Sequence, residues 1–226
     1  MRILEKSVKK KGPLRDKIYA SLKNTIITAK LQPNERLIEV TIAAGMGTSR
    51  TPVREALQKL EKEGLIFRLP TTGFAVKGVA EEEVEDILNL QCVLEGYAGR
   101  LAASRITEDE LRSLSDLIEG QEDCLENSDT ETFIRLDAEF HDAIHRAAEN
   151  TRLYDLVQGL SDYIDRYRVI VFRSPAALHL SVKDHRKMMS LMKAKNTKQI
   201  EKLIRKHITR GKNIIKRSIR RERQSR

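Results

Sequence analysis

An aspartate and a histidine four residues apart, in Asp137-Ala-Glu-Phe-His141, fall on one face of a helix, so both side chains can reach one metal ion. Two further histidines suit the same ion. His185 stands eleven residues before Asn196, and His207 stands eleven after it. If the chain hairpins at Asn196, the two rings come level on neighbouring antiparallel helices. Asp137, His141, His185 and His207 would then offer one carboxylate and three imidazoles, a donor set suited to Zn, Ni or another divalent first-row ion. His145 is four residues beyond His141 but is carried further round the helix, and His179 has no comparable geometry; both are left out of the set. Such a centre could hold a ligand or, in an enzyme, activate water.

A second chemistry sits in Thr48-Ser49-Arg50-Thr51-Pro52-Val53-Arg54. The start of a helix carries partial positive charge and ordinarily attracts acids. Here it carries Arg50 and Arg54, and the acids Glu61 and Glu63 come at the far end. Arg50, Arg54 and Gln58 recur every four residues beside the apolar face made by Val53, Leu57 and Leu60. Arginines at the start of a recognition helix can meet base edges and phosphates, and Ser49 and Thr51 can donate to phosphate oxygens.

The elements that must position these groups follow from periodicity. Leu14, Ile18, Leu22 and Ile26 predict a helix from Pro13 to about Ala29. LQPNERL breaks it, and a short helix runs from Glu39 to Ala44, ended by Gly45–Gly47. Thr48 or Ser49 caps the next helix, with Pro52 in its first turn, and Gly64 closes it. LIFRLPTTGFAV then reads as a small β-hairpin. Three helices and a hairpin make a winged helix-turn-helix over residues 1–78. Residues 79–226 read as helical throughout. The expected helices are Glu81 to Ser104, one opened by a capping box at Thr107, one opened by a capping box at Ser128, Leu153 to Phe172, Pro175 to Lys195, and a last one after Asn196. The fold class is therefore mainly α: a winged helix-turn-helix followed by a six-helix antiparallel bundle.

Charge is segregated along the 226 residues. Residues 1–80 hold 16 Lys/Arg against 7 Asp/Glu, residues 81–192 hold 12 against 24, and residues 193–226 hold 14 against 2. A basic head suits a polyanion such as DNA. Residues 1–12 read as a disordered basic arm, and the basic end, RGKNIIKRSIRRERQSR, as a solvated helix terminus. Two cysteines, Cys92 and Cys124, without metal-type spacing, point to a reducing compartment. No apolar run suits a signal peptide or a membrane span, so the expected location is cytoplasmic, with no membrane partner.

The string from Leu37-Ile38-Glu39 through Ser49-Arg50-Thr51-Pro52-Val53-Arg54-Glu55-Ala56-Leu57 to Glu63-Gly64-Leu65 resembles the GntR superfamily of winged-helix transcription regulators. The resemblance implies DNA contacts by Ser49, Arg50, Thr51 and Arg54, with Gly73 at the wing tip near the minor groove. Thr48 stands where the family usually has an apolar residue. The set Asp137, His141, His185 and His207, with Asn150, resembles the helical FCD effector domain of the FadR-like branch. Six bundle helices point to its vanillate-regulator-like (VanR) subgroup. The family binds a small organic acid beside the metal, and commonly places an Arg four residues before the Glu that is Glu95 here. Gln91 stands at that Arg position and cannot clamp a carboxylate with charge. Either the effector is less anionic or another group, such as Arg166 or Arg168, supplies the charge.

These readings converge on a homodimeric regulator that binds a palindromic operator in double-stranded DNA. Its operator affinity would be set by an organic acid bound beside the metal. Two rivals stand against it: a metal-dependent enzyme using the Asp/His set, and a non-specific architectural DNA binder. The enzyme lacks a phosphate loop, a nucleophile elbow and an evident general base.

Overall fold

The computed structural model describes residues 13–224; the basic arm expected over 1–12 lies outside them. The chain divides into two compact units, Met1–Val79 and Ala80–Arg226. No described helix is long and apolar enough to cross a membrane.

In the first unit, α1 (Leu14–Ile27), α2 (Glu39–Met46) and α3 (Arg50–Lys62) surround a three-stranded sheet of β1 (Arg36–Leu37), β2 (Ile66–Arg68) and β3 (Phe74–Val76). The periodic residues of α1, Ile18, Leu22 and Ile26, are buried with Val53, Leu57 and Leu60 of α3 in one core. Each such side chain contributes about 2 kcal/mol by leaving water. That burial fixes which face of α3 is left to solvent. The sheet order is β1-β3-β2, all antiparallel, with Leu37 opposite Phe74 and Phe67 opposite Ala75. Central β3 buries all three of its residues, while β2, at an edge, exposes Phe67 and Arg68. The expected hairpin is β2–β3. β1 is an addition: LQPNERL reads as a chain break, and two residues are too few to show a period of two.

The second unit is helical: α4 (Glu81–Arg105), α5 (Glu108–Asn127), α6 (Thr130–Ala147), α7 (Thr151–Gln158), α8 (Ser161–Val171), α9 (Pro175–Lys193) and α10 (Thr197–Gln224). Among the described residues it therefore has seven helices, not the expected six. The single helix expected over 153–172 breaks at Gly159–Leu160, where Leu160 N bonds Val157 O at 2.9 Å and tightens the turn. Leu153 and Val157 of α7 pack with Ala98 and Ala148, and the break lets α8 bury Ile164 and Tyr167 on a different course. The assignment to the vanillate-regulator-like subgroup rested on six helices and loses that basis.

Caps explain the other turns. Thr107 and Glu110 exchange both bonds of a capping box. The second expected box is different: Ser128 is the left-handed residue closing α5, and Asp129 caps α6 by accepting from Thr132 N at 3.0 Å. Asn196 Oδ1 accepts from Gln199 N at 3.2 Å, which starts α10 directly after the turn from α9.

α4 and α10 run antiparallel along most of their lengths. Gly96 and Gly99 let them approach, since a Cβ on Gly99 would overlap Ile204. Lys212, Lys216 and Arg220 of α10 pair with Glu81 and Glu85 of α4. Lys212 and Lys216 hold the Glu85 carboxyl down at about 2. The basic end of the chain thus has acids of its own unit as partners.

Gly73 has φ +85, and a Cβ there would lie 2.7 Å from the Leu37 carbonyl oxygen, a backbone atom that cannot rotate away. Gly73→Ala is expected to cost the first unit roughly 2 kcal/mol through left-handed strain and the clash with β1. Urea unfolding followed by circular dichroism checks this; an unchanged midpoint would contradict it.

Candidate functional site

The exposed face of α3 carries the first group of predicted residues. Val53, Leu57 and Leu60 are buried, and Arg50, Thr51, Arg54 and Gln58 are exposed. Ser49 occupies the N-cap position without a side-chain capping bond. Glu39, in the first turn of α2, receives Arg50 Nη2 at 3.2 Å and Arg54 Nη2 at 3.2 Å on the same oxygen. The Arg54 hydrogen bond, against partial burial and with help from Arg50, holds the Glu39 carboxyl below its usual value. One acid on α2 thus gathers both arginines at the start of α3 and offsets the unfavourable placement of cations at a helix N-terminus. Gly73 closes the β2–β3 turn, where Leu69 N donates to Gly73 O at 3.0 Å.

The second group lies inside the helical unit. α6 carries Asp137 and His141 one turn apart, α9 carries His185, and α10 carries His207. The turn at Asn196 brings the last two level. The ring centroids of the three histidines form a near-equilateral triangle, with sides of 5.3, 5.5 and 5.4 Å. One ligand atom from each lies within 4.8 Å of the others. Phe140 stacks on His185 at 4.1 Å between centroids and dries one wall.

Hydrogen bonds from outside the triangle decide where each imidazole keeps its proton. His141 Nδ1 faces Glu95 Oε2 at 3.1 Å, His185 Nδ1 faces Gln121 Oε1 at 2.8 Å, and His207 Nδ1 faces Asp184 Oδ2 at 3.0 Å. Carboxylates only accept, so Nδ1 donates in His141 and His207, and Gln121 Oε1 imposes the same choice on His185. Nε2 is then the nitrogen through which each ring can bind a cation. Burial, opposed by the Asp137 charge, pushes the His185 imidazole well below its ordinary value, so that ring is neutral. Its Nε2 faces Asp137 Oδ1 at 3.6 Å, one acceptor toward another. Ser181 Oγ lies between them, 3.4 Å from Nε2 and 3.2 Å from Oδ1.

Asp137 is 2% exposed. Burial opposes its charge, but the Arg168 guanidinium beside it prevails, and the carboxyl lies down at about 2. Arg168 Nε donates to Asp137 Oδ2 at 2.7 Å, and Ser181 Oγ donates to Oδ1 at 3.2 Å. The donor set present, three imidazoles beside an ionised carboxylate with outer acceptors on each ring, fits a divalent first-row cation.

Gln91 is buried and donates from Nε2 to Glu95 Oε1 at 2.6 Å, so it is no surface residue. It lines a cavity of about 70 Å³ with Asp137, His141, Tyr167, Arg168 and His207. The Tyr167 hydroxyl is buried without a hydrogen-bond partner. Arg168, not Gln91, is the cation beside the cluster. Sequence reading missed Gln121 and Asp184 as outer acceptors. Asp184 had a signal, since it adjoins His185, whereas Gln121 had none. It also passed over His145, which is buried and reaches Glu95 Oε2 at 3.4 Å.

The lowered His185 value has a sign. The unfolded state binds a proton near pH 6.5 that the folded state refuses, so stability is complete above that pH and falls as pH drops below it. We expect the metal-free protein to lose stability steadily as pH falls from 6.5 to 5 because of this ring. Urea midpoints across that range measure it; a flat profile would contradict a buried neutral His185.

The description "Bacterial regulatory proteins, gntR family" matches residues 14–76, and the FCD domain matches residues 86–210. The HTH-type transcriptional regulator YdhC of Bacillus subtilis is 28% identical over 199 residues, 88% of this chain and 89% of that protein. The Nta operon transcriptional regulator of Aminobacter aminovorans is 31% identical over 182 residues, 80% of this chain and 85% of that protein. The solved structure of McbR/YncC from E. coli shares the fold, with a TM-score of 0.77 at 24% identity over 92% of this chain and 99% of that one. These relatives are transcription regulators, and the enzyme reading falls away. The chain belongs to the GntR family of bacterial regulatory proteins and carries an FCD domain in its helical unit.

Proposed function

We propose that this regulator reads a palindromic operator as a homodimer, and that a small organic acid bound beside a divalent metal in the helical unit sets its operator affinity. The observation that carries the metal reading is the His185 Nε2 lone pair turned toward Asp137 Oδ1, inside a triangle whose three Nδ1 atoms are already spoken for. Asp137, His141, His185 and His207 would hold the ion, with Zn or Ni suited to this nitrogen-rich set. When bound, a divalent ion there offers coordination to a carboxylate. Arg168 supplies the fixed positive charge, and Tyr167 lines the adjoining cavity. Both sit in the wall that Gln91 shares, so the charge absent from position 91 is present one helix away.

On the DNA side, Arg50 and Arg54 would read bases, and Ser49 and Thr51 would hold phosphates, with Gly73 at the wing tip. Glu39 preorders both guanidiniums. For the dimer, Leu90, Val93 and Tyr97 of α4 are exposed at 48, 51 and 44% and recur at three- and four-residue spacing. That gives one apolar stripe for a second copy. A cytoplasmic location suits a DNA-binding role.

Fluorescence anisotropy with labelled DNA from upstream of the gene, against a scrambled duplex at two salt concentrations, tests the operator reading. Arg54→Ala is expected to lower specific affinity about 5- to 100-fold and leave scrambled-duplex binding nearly unchanged. Removing metal with a chelator is expected to change specific affinity or its response to organic acids. Equal binding to both duplexes by the unaltered protein would contradict sequence reading. Tyr97→Glu is expected to halve the mass seen by light scattering at micromolar concentration; an unchanged mass would place the dimer contact elsewhere.

A further inference from the structure

His145 stands one turn beyond His141 on α6 and is just as buried. Both rings turn a nitrogen to one carboxylate oxygen: Glu95 Oε2 is 3.1 Å from His141 Nδ1 and 3.4 Å from His145 Nε2. The three ligand atoms all lie within 4.8 Å of one another. Around a tetrahedral cation with bonds of about 2.0–2.2 Å, neighbouring donors sit roughly 3.2–3.6 Å apart. Both separations are close to that spacing. Gln91 Nε2, at 2.6 Å, holds the other oxygen of Glu95 and fixes the plane of the carboxylate. A cavity of about 250 Å³ opens on the group and is lined by Ser161 and Asp165 as well as by its three members.

We propose that Glu95, His141 and His145 form a second divalent-cation site, joined to the first through the His141 ring. Nε2 of His141 faces the first site and Nδ1 faces the second. A cation entering the second site displaces the Nδ1 proton to solvent, and Glu95 Oε2 exchanges a hydrogen bond for a metal bond. The bridged ring leaves as an imidazolate shared by two ions. The cavity beside it leaves room for a water or a small oxygen ligand to complete the coordination. This goes beyond the single-metal reading and shares one ligand with it.

Native mass spectrometry of the full chain, loaded with zinc at pH 8 and desalted, tests the proposal. The expected result is two zinc ions per chain in the unaltered protein, and one in each of His145→Ala and His185→Ala. One ion in both the unaltered protein and His145→Ala would overturn the second site and leave the first standing. Two ions in both would also overturn it, since the extra zinc would lie elsewhere. One ion in the unaltered protein and none in His145→Ala would support the second site and contradict the first. No ion at all would overturn both. Copper(II) loading needs no variant: two ions sharing one imidazolate couple magnetically, so the resonance signal should integrate to well under two spins per chain. Two full spins would overturn the shared ring.

Discussion

A neutral imidazole has one proton, and the nitrogen that carries it decides whether the ring can accept anything at the other end. In the helical unit that choice is made three times in the same sense. Glu95 from α4, Gln121 from α5 and Asp184 from α9 each accept a hydrogen bond from Nδ1–H of a histidine. Nε2 is thereby the nitrogen that each of the three rings can offer to a cation. Undoing any one of these hydrogen bonds would free a ring to turn or to change tautomer. The arrangement needs five helices in register, so the packing of the whole unit stands behind it.

That packing has its own causes. α6 is held between α4 and α5 by Phe133, Phe140 and Ile144, all but fully buried. α10 lies close on α4 because two glycines of α4 face it, and paired charges along the far half of α10 keep the register. Glu95 thus reaches His141 across one interface while His207 reaches Asp184 across another. Burying so many polar groups is costly unless each finds a partner. Arg168 answers that requirement for Asp137, and Arg210 for Asp184, at 2.7 and 2.6 Å. The Tyr167 hydroxyl and Gln121 Nε2 are the buried side-chain atoms left without one among the described residues. Of these two residues, Tyr167 lines the cavity beside the histidines.

Much of this architecture was legible in the residues. The three-helix head followed from apolar spacing and glycine stops, because amphipathic helices of this length show their period plainly. The meeting of His185 and His207 followed from symmetric distances about Asn196, since an antiparallel helix pair converts equal sequence offsets into equal heights. Other features were hidden for definite reasons. β1 is two residues long and carries no period. The break between α7 and α8 depends on which faces bury, and Gly159 alone does not announce it. Gln121 is polar in a polar stretch, and nothing in its neighbours says that it turns inward. His145 was passed over on angular grounds, yet a further 40° of helix is small against the reach of a ring that shares its acceptor with His141.

The head and the bundle divide two kinds of charge. Exposed arginines at the start of α3 are gathered by one acid and remain available to a polyanion. Buried acids in the bundle are matched by imidazoles and by Arg168. The claim on which the regulatory account rests is that the histidine triangle takes a metal through nitrogen. X-ray absorption at the zinc edge, on protein holding one equivalent of zinc, tests it most directly. The account predicts a nitrogen and oxygen shell near ~2.0–2.1 Å with outer scattering from about three imidazoles. A shell of water oxygens alone, without imidazole scattering, or a sulfur shell near ~2.3 Å, would contradict it.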